Sequence, residues 1–92
     1  MIPYTARDKP TVPEVLPLVR AYYSMPGNGA GGSLHVVLDD GNIDDYFVRS
    51  CLLSAQESGD AAGAGLAALL LKMSKTQRSR LIDALDLAMS GA

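Results

Sequence analysis

The chain has 92 residues, 48% of them apolar, and a formal charge of −2. That length bounds it to a single domain over residues 1–92, near the small end of what folds without a metal or disulfides. The charge excludes general nucleic-acid coating, which needs a basic field, and one cysteine, Cys51, excludes an internal disulfide or a cysteine-built metal site.

Many of the apolar residues are Ala and there is no Trp, so the core of one copy is small and a homo-oligomer, such as a homodimer, is a reasonable expectation. No signal peptide opens the chain and no apolar run approaches the length of a membrane span. A cytoplasmic protein without membrane contact is expected.

Residues 1–10 mix proline, charge and one aromatic, and are expected to form an extended N-terminal arm whose Ile2 and Tyr4 can pack on a partner or on the domain itself. Thr11 and Glu14 have capping-box spacing, and Pro13 suits a first helical turn. Pro17 conflicts with this, because an interior proline removes a backbone bond and clashes with the preceding turn. The first helix is therefore expected to start between Pro13 and Pro17 and to run to about Ser24, with Leu16, Val19 and Tyr23 as its apolar stripe.

Chemistry concentrates between Ser24 and Asp45, which hold five of the nine glycines, the only histidine and four of the ten acidic residues. Asn28–Ser33 is turn chemistry, and glycine there lets another group approach the backbone. It reads either as a flexible connection or as a loop that presents bare N–H groups to an anion. Neither GxxxxGK[ST] nor GxGxxG is present. The segment 34–38, LHVVL, is ambiguous. Its β-branched centre suits a strand, whereas Ser33 as N-cap, the shared face of Leu34, Val37 and Leu38, and Gly41 as a stop suit a helical turn. The helical turn is the reading taken.

Asn42 caps the next expected helix, which Gly59 ends. Ile43, Phe47, Cys51 and Ala55, widened by Val48 and Leu52, give it an apolar stripe. Asp60 caps AAGAGLAALLLKM, where Leu66, Leu69, Leu70 and Met73 are core candidates and Gly63 and Gly65 point to close helix packing. Ser74 and Gln77 form a second capping box that opens a last helix to about Met89, with Leu81, Leu85 and Ala88 facing inward and Gly91 as its stop. The expected fold is mainly all-α, a compact bundle of about four helices carrying a Gly-rich loop.

Two surfaces are candidates for contact with a ligand or partner. In the first, His35 lies beside Asp39, Asp40 and Asn42. Those oxygens suit a hard cation, but the spacing is not that of an EF-hand, so no metal and no cofactor are assigned. One histidine with no nucleophile in evidence also assigns no catalytic residue. The second is the start of the last helix, Ser74, Lys75, Thr76, Arg78 and Arg80. Cations in a first turn oppose the helix dipole, and with hydroxyls and bare N–H groups they suit a phosphate or an acidic protein surface. Cys51 falls on an apolar stripe and reads as a small buried hydrophobe.

The run GNGAGGSLHVVLDDGNIDD, followed by KMSKTQRSRL, resembles small proteins encoded by bacteriophages and prophages, over about Tyr22 to Leu81. The resemblance brings no catalytic residues. It implies a context in which small phage proteins bind and inhibit a host component, including anti-phage defence complexes, in the cytoplasm of a bacterial host. The leading expectation is therefore a non-enzymatic protein-binding inhibitor. The alternative is a binder of a nucleotide or other phosphate ligand, held between the Gly-rich loop and the 74–80 helix start.

Overall fold

The computed structural model describes residues 10–26 and 32–90. The expected extended arm, apart from Pro10, and the stop at Gly91 lie outside the described residues, as does most of the Gly-rich loop. Five helices make up the rest: α1 (Val12–Ser24), α2 (His35–Leu38), α3 (Asp45–Ser58), α4 (Ala61–Lys72) and α5 (Lys75–Ser90). A 3₁₀ turn, Gly32–Leu34, leads into α2. Among the described residues there is no strand, and no helix is long and apolar enough to cross a membrane. The fold is an all-α bundle, and segment 34–38 is helical.

Helix α1 begins at Val12, earlier than the sequence led us to expect, and Pro17 lies inside it. The Thr11 N–H donates to Glu14 Oε1 at 2.9 Å, which ties down an orphan donor at the start. Pro17 is tolerated because it and Pro13, four residues earlier, both face solvent, so the Pro13 carbonyl without its helical donor is open to water. Helix α3 begins at Asp45 rather than near Asn42. Its N-cap residue Asp44 sends its carboxylate to Lys75 Nζ at 2.6 Å instead of to its own helix. At the far end Gly59 adopts φ +77°. There the Asp60 N–H reaches Ala55 O at 2.8 Å and the Gly59 N–H reaches Gln56 O at 3.3 Å, a Schellman stop.

The remaining caps follow the sequence. Asp60 Oδ1 accepts from the Gly63 N–H at 2.9 Å, and Ser74 Oγ accepts from the Gln77 N–H at 3.2 Å. Helix α4 packs chiefly on α3 and also on α1, while α1 packs on α5. The core gathers Val15, Val19 and Tyr22 from α1, Leu34, Val37 and Leu38 around α2, and Val48 and Cys51 from α3. Leu66, Leu70 and Met73 from α4 and its end, and Leu81 and Leu85 from α5, complete it. On α1 the fully buried line is thus Val15, Val19 and Tyr22, with the expected Leu16 and Tyr23 only partly buried beside it.

Candidate functional site

The basic start of α5 turns out to be structural at its centre. Arg78 is only 3% exposed. Its Nε donates to Leu70 O at 2.8 Å and its Nη2 to Leu71 O at 3.4 Å, so the guanidinium caps the C-terminal end of α4. Nη1 donates to Ile43 O at 2.7 Å, and Nη2 pairs with Asp45 Oδ1 at 2.7 Å. One side chain therefore pins three backbone carbonyls, two at the end of α4 and one before α3, and the first turn of α3. Arg78 is not available as a surface contact, because every arm of its fork is spent inside the protein. Lys75 is exposed but paired with Asp44. Ser74 is spent as a cap, which leaves Thr76 and Arg80 as exposed members of the patch. A phosphate grip built on this turn has lost its two central cations to Asp44 and Asp45.

The acidic turn is similarly divided. Asp39 accepts a short hydrogen bond from the Tyr23 hydroxyl, and burial together with this carboxylate pushes the Tyr23 phenol well above its usual range. Asn42 is half-buried, and its N–H donates to Val36 O at 3.2 Å. Asp40 and His35 are exposed, with His35 Nδ1 at 3.3 Å from Gly32 O. Among the described residues no group of three His, Cys, Asp or Glu side chains lies close enough to hold a metal ion. Cys51 is buried, and desolvation raises its thiol pKa, away from the reactive thiolate.

A different feature ties α1 to α4. The Tyr22 hydroxyl donates to Asp60 Oδ2 at 2.6 Å and accepts from the Ser33 N–H at 3.1 Å, while Asp60 also caps Gly63. Burial first, then Asp60, raises the Tyr22 pKa, and the Tyr22 bond first, then the Gly63 N–H, lowers that of Asp60. Gly63 makes room for this knot. A Cβ there would lie 2.3 Å from Asp60 Oδ2 and 2.9 Å from the Tyr22 hydroxyl.

Beside the knot, α1 and α4 leave an open apolar groove of about 340 Å³. Its α1 wall is Leu18, Ala21, Tyr22 and Met25, and its α4 wall is Ala61, Ala62, Gly65, Leu66 and Leu69. Leu18 is 50% and Met25 43% exposed. Gly65 has nothing within 4 Å of where its Cβ would be, so it forms an open floor rather than a packed contact. The groove arises because α4 is apolar all round, with Lys72 its only charge, while α1 and α3 cover only one side. A helix of that composition is normally buried. Charge-centred reading of the sequence passed over this site, because its signal is an absence of charge and an 18-21-25 line on α1 that lies beside the core stripe.

Compared with protein-family models, curated proteins and solved structures, the chain matches none.

Proposed function

We propose that this chain is a phage-encoded, non-enzymatic binding protein that inhibits a host component, such as an anti-phage defence complex, by seating an apolar segment of it in the groove between α1 and α4. The observation that carries this reading is the groove itself, a concave apolar strip on a helix with no charge until Lys72. An amphipathic helix laid there with anchors at i, i+3 or i+4 and i+7 would remove Leu18 and Met25 from water. Apolar surface of that kind drives association, whereas exposed ion pairs contribute little. Two further observations favour binding over chemistry: the one thiol is buried, and the acidic turn spends Asp39 on Tyr23.

The test is capture of the host partner in the cytoplasm of the bacterial host, compared between surface variants. Leu18→Asp with Met25→Asp places two charges in the groove, and we expect affinity to fall by about 100-fold or more, the cost of spoiling a central apolar contact. Thermal unfolding should stay near wild type, since both side chains are half exposed. Asp40→Lys and Arg80→Glu, on the two charged surfaces, should bind as wild type. Full capture by the groove variant, or loss on charge reversal alone, would move the contact surface elsewhere. Arg78 is unsuited to this comparison because its loss acts on the fold.

A further inference from the structure

The two walls of the groove differ in kind. From the α1 wall two large apolar side chains project, Leu18 at 50% and Met25 at 43% exposure, and Glu14 continues their line one turn toward the start of the helix. On α4 the exposed line is Ala61, Gly65, Ala68 and Lys72, where nothing large projects until the lysine. The last turn of α1 meets the start of α4 at the Tyr22–Asp60 bond, and from there the two helices run in opposite directions. Leu18 lies four residues before Tyr22 and Gly65 four after Ala61, about 6 Å along each helix, so these two share a level. Met25 lies at the Ala61–Ala62 end. Glu14 and Lys72, both exposed, close the opposite end. Projections thus stand on one wall and hollows on the other at matching levels, with one charge of each sign at the same end.

We infer that this face pairs with the same face of a second copy of the chain, across a two-fold axis that runs parallel to α1 and α4. Such an axis keeps every level and exchanges the walls, so α1 of each copy lies over α4 of the other. Leu18 of one copy then covers Gly65 of the second, and Met25 covers Ala61 and Ala62, each contact occurring twice. The four helices form a bundle in which each is antiparallel to both of its neighbours. Charge selects the axis. Glu14 of each copy comes to the end that holds Lys72 of the other, and side chains lean toward the N-terminus of their own helix, so these two lean toward each other. Glu14 Oε1 accepts from the Thr11 N–H and hydroxyl, and Oε2 is the oxygen that meets the ammonium. A two-fold axis across the helices would set projections against projections and hollows against hollows, with the charges apart. The face is about 20 Å square, which buries on the order of 1,000 Å² over both copies. That is the low end for a specific interface, so the pairing is weak and reversible. A host segment entering the groove displaces the second copy. This last step rests on the docking role proposed above, whereas the pairing itself does not.

Sedimentation equilibrium of the full chain tests this. The mass should rise from monomer toward dimer between about 1 μM and 1 mM, the range of a weak interface. Leu18→Asp with Met25→Asp should weaken association by about 100-fold or more, since symmetry places each charge in the interface twice. Leu53→Ser, which removes an exposed apolar side chain from α3, should leave it unchanged. Orientation is read by NMR on a mixture of copies. A spin label on Lys72→Cys of an unlabelled copy should broaden the amides around Glu14 of a nitrogen-15 copy more than those around Met25. Cys51 is buried and does not compete for the label. A monomer over the whole range would overturn the inference, as would a dimer indifferent to the groove variant, or broadening centred on Met25. Host capture separates the two levels. If the wild type stays monomeric while Leu18→Asp with Met25→Asp loses the partner, the docking site stands and self-pairing fails. If that variant abolishes the dimer and still captures the partner fully, self-pairing stands and the docking site fails.

Discussion

Gly63 and Gly65 stand two residues apart on α4, and a methyl group has opposite consequences at the two. At Gly63 a Cβ would run into the Asp60 carboxylate and the Tyr22 hydroxyl, so Gly63→Ala must break the cap or the Tyr22 bond. Losing the cap costs about 1 kcal/mol, and forcing atoms apart in a packed site a further 1–3 kcal/mol. The helix-propensity gain of about 1 kcal/mol offsets only part of that. At Gly65 the space is open, so Gly65→Ala keeps the propensity gain and should stabilise by about 0.5–1 kcal/mol. Urea unfolding of the pair should show opposite signs, and the same sign for both would refute the placement of the knot. Arg78 is a second case. Arg78→Met should cost about 2–4 kcal/mol, because the carbonyls of Leu70 and Ile43 lose their donors in a buried place. Arg78→Lys should recover only a fraction, since an ammonium cannot spread donors over four acceptors. A lysine variant as stable as wild type in urea would show that charge alone matters there.

At the level of elements, Pro17 tests how α1 is held. It costs a helix up to about 3 kcal/mol in a free interior, yet the helix persists because Val15, Val19 and Tyr22 are buried on either side of it. Pro17→Ala restores the bond to the Pro13 carbonyl on an exposed face, while releasing about 0.4–1 kcal/mol of unfolded-chain entropy. We expect a net gain of about 1–2 kcal/mol by chemical denaturation, and a loss would mean that the proline ring itself is a packing element. The same helix shows where sequence reading stops. The caps at Gly59, Asp60 and the Ser74–Gln77 pair were legible, because they act within one turn of themselves, and so was the α3 stripe, whereas the cap of α3 fell at Asp44 and not at the expected Asn42. The buried face of α1 was not, since α4 and α5 flank it on two sides and Val15, Leu16, Leu18, Val19, Tyr22 and Tyr23 offer apolar groups almost all round. Arg78 misled for a related reason. Its acceptor Ile43 O lies 35 residues away in sequence, so a cation that looked misplaced on its own helix is well placed against another. The groove needed α1 and α4 set side by side before Leu18 and Met25 meant anything.

Across the whole molecule, these bonds predict a stability plateau with a fall on each side. Asp45 is held below the usual carboxylate range by the Arg78 guanidinium, and Asp60 by the Tyr22 hydroxyl and the Gly63 N–H. A carboxyl whose folded pKa is depressed stabilises the fold above its unfolded value of about 3.9, and this is lost as pH falls through the lower folded value. Tyr22 and Tyr23 are shifted upward, by burial and by Asp60 and Asp39 respectively. Their contribution is fully present below the unfolded phenol value of about 10 and is lost as pH rises beyond it toward the folded value. The melting temperature should therefore stay flat from about pH 5 to 9, drop below about pH 4 and drop again above about pH 10. Asp60→Asn separates the acid contributions, because it cannot take up a proton in this range, although its single amide oxygen can replace only one of the two carboxylate oxygens that accept from Gly63 and from Tyr22. The variant should melt somewhat lower than wild type at neutral pH, having one acceptor fewer, and should lose part of the acid drop, with the remainder belonging largely to Asp45. If wild type and Asp60→Asn fall equally between pH 6 and 3, the Tyr22–Asp60 knot does not contribute to holding α1 on α4.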